Sequence, residues 1–335
     1  MEKLVNEPNV DETTKRKLKL VLDARAFSQE IGLLPEGSFT QYSDVGRDVL
    51  LWVLSGSSKV ALRPVTWWFP IVGSIPYKGF FDKEDADAAA KQLDDRDFDT
   101  YLRPSAAFST LGWFNDPLLS TTLRYDETSL ANTVIHEILH NTIWVKNHVP
   151  FNETLANFVG NMGAIQFFTN REGADSERVK DAKLRWSNEL DFARFLVDTA
   201  AKLDTVYRRA EKVVERRSTP EEEELYKQLV AERDGILKEA LDQWLASHQV
   251  PKGKSAQSKL NNAVIIAHQI YLTKPWVFAD LFHQVNDDLT AFIREMKVVA
   301  EMTAKDKLDP YDAVVRHTEE LRAHQSAPLQ TAPVS

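Results

Sequence analysis

The residues best suited to chemistry lie in one apolar stretch, residues 134–140, which reads VIHEILH. On a helix, the i, i+4 spacing places the imidazoles of His136 and His140 on one face, one turn apart, where a single metal ion can reach both. Glu137 projects beside them, placed to take a proton from a zinc-activated water rather than to bind the metal itself. This HExxH pattern therefore predicts a zinc hydrolase.

A purely structural interpretation of the same residues is less favourable. A lone histidine on an apolar helix is more often a satisfied core residue, and Glu137 could form a local ion pair. Here, however, two histidines and a glutamate are embedded together among Val, Ile and Leu. Burying three ionisable groups is costly unless a metal ion or other partners compensate. We therefore expect one Zn²⁺ per chain.

A catalytic zinc needs a third protein ligand and an open position for water. The metzincin pattern places a third histidine six residues after the second, with a glycine between, but that position is Lys146 here. His148, eight residues after His140, does not fit that spacing. Glu153 is the stronger candidate, because it opens a second predicted helix after a tight turn and antiparallel packing would turn its carboxylate toward the histidines. The alternative for Glu153 is an acid favoured by the helix dipole, and Asn157, one turn later, is predicted to hold a ligating imidazole in its tautomer.

The elements that must position these residues are predicted helices at residues 128–145 and 151–169. Upstream, the pattern predicts a helix at 11–32, short strands of one sheet within 33–81, a helix at 82–94 and a strand at 101–111. Downstream, residues 176–217 and 220–247 are predicted to form a long antiparallel helical hairpin, with Thr219 as N-cap and Pro220 as the first helical residue. A loop at 251–257 and helices at 260–271, 275–303 and 310–324 follow.

These elements predict an α+β fold. A small mixed sheet would pack on the zincin-type HExxH helix pair, and the C-terminal half would be mainly α-helical. We expect a single domain over residues 1–324, made of the sheet with the active-site helices (33–175), the hairpin (176–250) and the C-terminal helices (258–324). Residues 325–335, rich in Ala, Pro and Ser, are predicted to be a disordered tail.

Composition excludes several classes of function. The chain has 335 residues, of which 43% are hydrophobic, enough for a sizeable core. A net charge of −9 argues against nucleic acid or an anionic membrane as the main partner. The lack of cysteine excludes disulfides, thiolate ligands and a cysteine nucleophile, leaving His, Asp and Glu as strong metal ligands. No apolar run is long enough to span a bilayer.

Several segments resemble one protein family. They are residues 69–73 (FPIVG), 76–82 (PYKGFFD), 109–120 (STLGWFNDPLLS), 136–140 (HEILH), 151–153 (FNE) and 260–263 (LNNA). Together, in this order over about residues 10–300, they resemble a bacterial family of zinc-dependent aminopeptidases with gluzincin-type sites. The resemblance implies hydrolysis of a peptide substrate, with His136, His140 and Glu153 as zinc ligands and Glu137 as the general base.

The chain departs from the family pattern in two respects. Asn157 occupies the position where thermolysin-like enzymes carry an aspartate behind a zinc ligand. Family members often begin with a lipoprotein signal or a membrane segment, which residues 1–10 do not form. We therefore expect a cytoplasmic protein if Met1 is the native start, and a periplasmic or membrane-anchored one if a signal was removed.

Other roles are predicted with less support. Tyr271 is the first choice for a donor to the oxyanion and His268 the second, although a packed tyrosine is an equally good interpretation of Tyr271. Gly112, Trp113 and Phe114 would suit a sheet edge that binds an extended peptide, or a turn with two core aromatics. Two other functions remain open: a zinc hydrolase of a non-peptide amide, and a non-catalytic binding or scaffold protein that keeps the metal for stability. The base Glu137 argues against the scaffold.

Overall fold

The protein is α+β with helices predominating, as predicted, in a computed structural model that describes residues 1–70, 73–105, 117–211, 217–248 and 259–326. The described residues divide between two compact units. The first unit takes in Met1–Ser43, Ser109–Leu190 and Tyr271–Ser335, and the second takes in Asp44–Phe108 and Asp191–Ile270. These boundaries cut across the predicted segments, and the single domain stays a prediction.

The helices and the strands of the described chain are each numbered in chain order. The helices are α1 (Glu2–Val5), α2 (Glu12–Glu30), α3 (Lys83–Asp94), α4 (Glu127–Thr142), α5 (Val149–Glu172), α6 (Glu177–Ala210), α7 (Pro220–Ser247), α8 (Asn262–Leu272), α9 (Pro275–Gln284), α10 (Leu289–Asp306) and α11 (Pro310–Ser326). The strands are β1 (Tyr42–Ser43), β2 (Leu51–Ser58), β3 (Trp67–Phe69), β4 (Gly73–Ile75), β5 (Lys78–Phe80), β6 (Phe98–Ser105) and β7 (Leu118–Leu119).

The first unit has a helical core. Apolar side chains of α2, α4, α5, α9, α10 and α11 form one buried cluster. At its centre the Phe158 ring lies 5.1–6.0 Å from four other aromatic rings, those of Trp186, Phe278, Phe282 and Phe292. Edge-on and tilted ring pairs at this spacing stabilise a core beyond the area that they bury. This cluster holds α5 in place from its buried side.

Two glycines of α5 allow α4 to approach closely. A Cβ added at Gly160 would lie 2.7 Å from Oδ1 and 3.0 Å from the backbone oxygen of Asn132. A Cβ at Gly163 would lie 2.9 Å from two carbons of Ile135. All of these distances are shorter than ordinary van der Waals contact, so a larger residue at either position would push the two helices apart.

The second unit contains an antiparallel three-stranded sheet in the order β5-β2-β6. Val53 on the central strand pairs with Gly79 on one side and with Arg103 on the other. The strands predicted for one sheet divide instead: β3 pairs with β4, and β1 pairs with β7 in the first unit. Near the end of β2, Ser57 pairs with Asp99 of β6 and also forms an isolated bridge with Pro64, which has no N–H to donate to a ladder.

A buried polar network supports the second unit. Arg233, 1% exposed, donates to the backbone oxygen of Lys59 at 2.8 Å and to the Asp99 carboxylate at 3.1 Å. Asp99 in turn accepts from the backbone N–H of Asn262 at 2.9 Å, and the Tyr207 hydroxyl donates to the Asn262 side chain at 2.6 Å. These bonds satisfy polar groups that would otherwise be costly to bury, and they hold the start of α8 in place.

The predicted helix at 275–303 is wrong as a single element, because α9 ends at Gln284 and α10 begins at Leu289. Asn286 and Asp287 adopt positive φ angles of 59° and 57°, which Asn and Asp tolerate better than most residues. The Asp288 carboxylate then accepts from the backbone N–H of Ala291 and caps α10. The polar sequence Asn286-Asp287-Asp288 is the sign of this break.

Among the described residues, α6 and α7 are in contact where the rings of Phe195 and Trp244 lie 4.8 Å apart and where Arg209 pairs with Glu232 at 2.8 Å. An antiparallel pair would make both contacts, but the whole hairpin stays a prediction, since residues 212–216 lie outside the described ranges. Thr219 forms the predicted cap of α7, as part of a capping box. The predicted loop at 251–257 and residues 327–335 of the predicted tail also lie outside. No helix among the described residues is long and apolar enough to cross a membrane.

Candidate metal centre

Helix α4 presents the two histidines because apolar residues next to them on the helix are anchored in the core. The helix begins after Asp126, whose carboxylate accepts from the backbone N–H of Ser129 at 3.0 Å. Ile135 and Ile138 are fully buried on the face that packs into the core. Their burial fixes the rotation of the helix and so directs the side chains of His136 and His140 together.

Helix α5 carries Glu153, and the side chain of Asn152 forms hydrogen bonds across the turn that leads into this helix. The buried Asn152 amide accepts from the backbone N–H of Val145 and donates to the backbone oxygen of the same residue, both at 2.8 Å. Phe151, 1% exposed, packs its ring 5.4 Å from that of Phe278. The residues on either side of the turn are thus fixed, and Glu153 follows directly on the first turn of the helix.

The structure brings His136, His140 and Glu153 together. The Nε2 atoms of the histidines are 3.3 Å apart. The Glu153 carboxylate oxygens lie 3.4 Å from Nε2 of His136 and 3.6 Å from Nε2 of His140. Ligand atoms at the corners of a tetrahedron around zinc, at bond lengths of 2.0–2.2 Å, are separated by roughly 3.3–3.6 Å. The three donors therefore fit one tetrahedrally bound metal ion.

Within the described ranges, these are the residues that meet as a group of three or more potential metal ligands, and His148 is not among them. Two imidazole nitrogens and a carboxylate oxygen are donors that zinc accepts, and they leave a fourth position open. Burial opposes ionisation of Glu153, but its contacts with His136 and His140 outweigh that effect. The pKa of the Glu153 carboxyl consequently lies well below its usual range, so the group is ionised and able to bind a cation.

Glu137 is the second unusual feature of the centre. Its Oε2 atom is buried and has no hydrogen-bond partner among the described residues. Such an atom is rare in folded proteins, because burial without a hydrogen bond costs free energy, and it often marks a catalytic role or a bound water. The carboxylate that the motif predicts as the base is thus available for a proton.

Asn157 lies one turn after Glu153, as predicted, but its side-chain amide forms hydrogen bonds with Glu189, Tyr271 and Asn161. It donates to the Glu189 carboxylate at 3.0 Å and to the backbone oxygen of Tyr271 at 3.5 Å. The Asn157 Oδ1 atom accepts from the side chain of Asn161 at 3.2 Å. A role for Asn157 in orienting an imidazole stays a prediction.

Glu189 was missed by the sequence analysis. It is half-buried on α6, on the same face as the buried residues Ala182, Trp186 and Ala193, and the four positions follow one another at spacings of three and four residues. Burial raises the pKa of the Glu189 carboxyl, and hydrogen bonds from Asn157 and Asn161 and the charge of His136 offset part of the effect. In the sequence, this position is indicated by a glutamate among apolar and aromatic residues on one face of the helix.

The remaining predicted residues are less closely connected to the centre. The backbone of Tyr271 lies beside α5, since its oxygen accepts from Asn157, but the role of its hydroxyl stays a prediction. His268, in the second unit, packs against the rings of Tyr101 and Phe192, and burial together with the charge of Arg103 lowers its pKa to about 4. The substrate edge at residues 112–114 lies outside the described residues, so Gly112, Trp113 and Phe114 stay predictions.

One comparison with known proteins bears on this centre. The profile of a family described as "Putative aminopeptidase" matches residues 1–309. The chain belongs to this family. No curated protein and no solved structure matches it significantly. Membership of the family confirms the resemblance to aminopeptidases and indicates a hydrolase that acts on peptides.

Proposed function

We propose that this member of the family is a zinc-dependent aminopeptidase, with His136, His140 and Glu153 as zinc ligands and Glu137 as the general base. The observation that carries the proposal is the spacing of the three donor atoms, 3.3–3.6 Å, which fits the edges of a zinc tetrahedron. The buried and unbonded Oε2 of Glu137 supports a catalytic rather than a structural centre, because a structural site needs no base.

A zinc ion bound at this centre would polarise the substrate carbonyl and acidify a water molecule, which is its usual contribution to hydrolysis. The chain's own part of the reaction begins at Glu137. Its Oε2 takes the proton of the attacking water and later delivers that proton to the leaving amine. His136 and His140 would bind the metal ion through Nε2, while ionised Glu153 would offset part of its charge.

Two further roles belong to this proposal. The hydroxyl of Tyr271 donates to the oxyanion that forms on the substrate carbonyl, and the Tyr271 backbone lies beside α5 through Asn157. The other is binding of an extended peptide by Gly112, Trp113 and Phe114, a role that rests on the sequence alone because these residues lie outside the described ranges.

The decisive test compares the zinc-loaded protein with its Glu137→Gln variant on peptides that have free or blocked amino termini. We expect one zinc per chain in both proteins and a fall in kcat of about 10²–10⁴-fold in the variant, the usual contribution of a positioned base. Glu301→Gln removes an exposed acid on α10 and serves as the control, with unchanged kcat.

Two results would contradict parts of the proposal. Equal turnover by wild type and Glu137→Gln, with zinc bound in both, would exclude Glu137 as the base. Equal cleavage of free and blocked peptides would remove the aminopeptidase assignment but leave a zinc peptidase. Separately, unchanged zinc content in Glu153→Ala would exclude Glu153 as the third ligand and return attention to His148.

A further inference from the structure

The first turn of α5, which leads directly to Glu153, has no side-chain cap of its own. His148 occupies the N-cap position, and within the described chain its side chain forms no capping hydrogen bond. The first N–H groups of a helix have no partner inside the helix, so an uncapped first turn is held less firmly than the turns that follow. The hydrogen bonds of Asn152 with Val145 supply part of the missing support. A metal ligand at this place needs more.

Tyr311 of α11, in the same unit, supplies a second support. Its hydroxyl donates to the backbone oxygen of Pro150 at 3.3 Å. The side chains of Thr154 and Thr273 are further hydrogen-bond partners of Tyr311. Because a tyrosine hydroxyl both donates and accepts, this one group joins Pro150, three residues before Glu153, to Thr154, one residue after it.

The members of this cluster are buried and fixed by their neighbours. Thr154 is 1% exposed and Tyr311 is 8% exposed. The backbone N–H of Thr273 donates to Oγ1 of Thr154 at 3.2 Å. The Tyr311 ring lies edge-on to the ring of Phe151 at 5.1 Å and tilted against that of Phe278 at 5.9 Å. Close packing between the rings fixes the orientation of Tyr311, so its hydroxyl is held against the start of α5.

We propose that Tyr311 is a positioning residue of the metal centre, whose hydroxyl fixes the start of α5 and thereby holds the Glu153 carboxylate against the two histidines. The distances from that carboxylate to Nε2 of His136 and His140, 3.4 Å and 3.6 Å, depend on where the start of α5 lies. Groups that support a ligand without touching the metal contribute to metal affinity in this way. In this role Tyr311 acts through Glu153 and not on the substrate. The inference rests on the proposed metal centre and adds a residue of α11 to it.

The test is the zinc affinity of Tyr311→Phe, measured by competition with a chromogenic chelator. Phenylalanine keeps the ring beside Phe151 and Phe278 and removes only the hydroxyl. We expect zinc to bind about 10-fold more weakly, the lower end of the usual effect of losing a group that supports a ligand, because the hydroxyl contacts the backbone and not the carboxylate. Tyr207→Phe is the matched control. It removes another buried tyrosine hydroxyl, bonded to Asn262 in the second unit, and should bind zinc as wild type does.

A double-mutant cycle separates positioning from a general structural effect. Two histidines remain as ligands in Glu153→Ala, whose weaker zinc binding is measured with a weaker chelator. Adding Tyr311→Phe to this background should leave the zinc affinity unchanged, because the hydroxyl then has no ligand to position. A general structural effect would weaken zinc binding by the same factor in both backgrounds. The visible spectrum of the Co²⁺-loaded Tyr311→Phe protein should also differ from that of wild type, since it reports the ligand geometry.

A second pair of variants tests the cluster from the side of α5, with Tyr311 in place. Thr154→Val removes the acceptor of the Thr273 N–H and a partner of the Tyr311 hydroxyl. We expect weaker zinc binding here too, whereas Thr154→Ser keeps a hydroxyl and should bind zinc as wild type does. This pair keeps the inference testable if Tyr311→Phe does not fold.

The outcomes distinguish this inference from the proposed function. If wild type binds no zinc, the proposed function fails. If wild type binds zinc and Tyr311→Phe binds it equally well, only the role of Tyr311 is overturned. An equal loss of zinc affinity in the wild-type and Glu153→Ala backgrounds would also overturn it, because Tyr311 would then not act through Glu153.

Discussion

The close contact between α4 and α5 at Gly160 predicts a specific cost for the smallest possible substitution. In Gly160→Ala the new Cβ would lie 2.7 Å from the Asn132 side chain and 3.0 Å from the Asn132 backbone oxygen. The side chain could move, but the backbone oxygen belongs to α4 and can move only with the helix. Overpacking of this kind costs about 1–3 kcal/mol.

The cost is opposed by the better helix propensity of alanine, about 0.5–1 kcal/mol in a helix interior. We therefore expect the free energy of unfolding of Gly160→Ala to fall by about 0.5–2 kcal/mol. Gly235→Ala is the matched control, since Gly235 also lies inside a helix and its added Cβ would meet no atom within 4 Å. That variant should gain about 0.5–1 kcal/mol.

Urea unfolding of the metal-free protein measures the change in the free energy of unfolding for each variant. Each change is read from the unfolding transition of the unit that carries the substitution. Because a displaced α4 would carry His136 and His140 away from Glu153, Gly160→Ala should also bind zinc more weakly than wild type, while Gly235→Ala should not. If the two alanine variants were stabilised alike, with equal zinc affinity, the contact at Gly160 would not set the separation of the helices.

Two other predictions concern buried polar groups. Asn152→Ala would leave both the N–H and the C=O of Val145 without their side-chain partner, and we expect a loss of about 2–4 kcal/mol in urea unfolding, with wild-type stability contradicting this. Burial lowers the pKa of His268 to about 4, so the folded second unit favours the neutral imidazole. We therefore expect the free energy of unfolding of this unit to be at its full value above pH about 6.5 and to fall by on the order of 2–3 kcal/mol as the pH drops through 4. His268→Phe keeps an aromatic ring beside Tyr101 and Phe192 and should flatten this dependence in thermal unfolding measured against pH; an unchanged slope would assign it to other groups.

The parts of the centre that could be predicted from the sequence depend on local geometry. The spacing of His136 and His140 is a property of any α-helix, and the start of the next helix, marked by Pro150, places Glu153 directly after its first turn. The caps at Asp126 and Thr219 are equally local, because each side chain accepts from a backbone N–H three residues on. Patterns of this length are visible in one sequence without any knowledge of the fold.

Features that depend on distant parts of the chain could not be predicted. Arg233 is a buried cation whose partners, Asp99 and the oxygen of Lys59, lie more than 130 residues away. Its role cannot be distinguished by spacing from that of an exposed arginine on α7. Glu189 and Asn157 are separated by 32 residues and meet only because α6 packs against α5.

The distances within the candidate centre therefore depend on different parts of the structure. The 3.3 Å between the Nε2 atoms of the histidines needs little more than helix α4, whereas the 3.4 Å and 3.6 Å to Glu153 need α5 at one particular distance and rotation. Gly160 allows that distance, and the double hydrogen bond of Asn152 to Val145 limits the rotation. A chain with the same HExxH pattern and a bulkier residue at position 160 would keep the histidine pair and lose the third ligand, so the motif alone is a weaker indication of zinc binding than the motif together with the close helix contact.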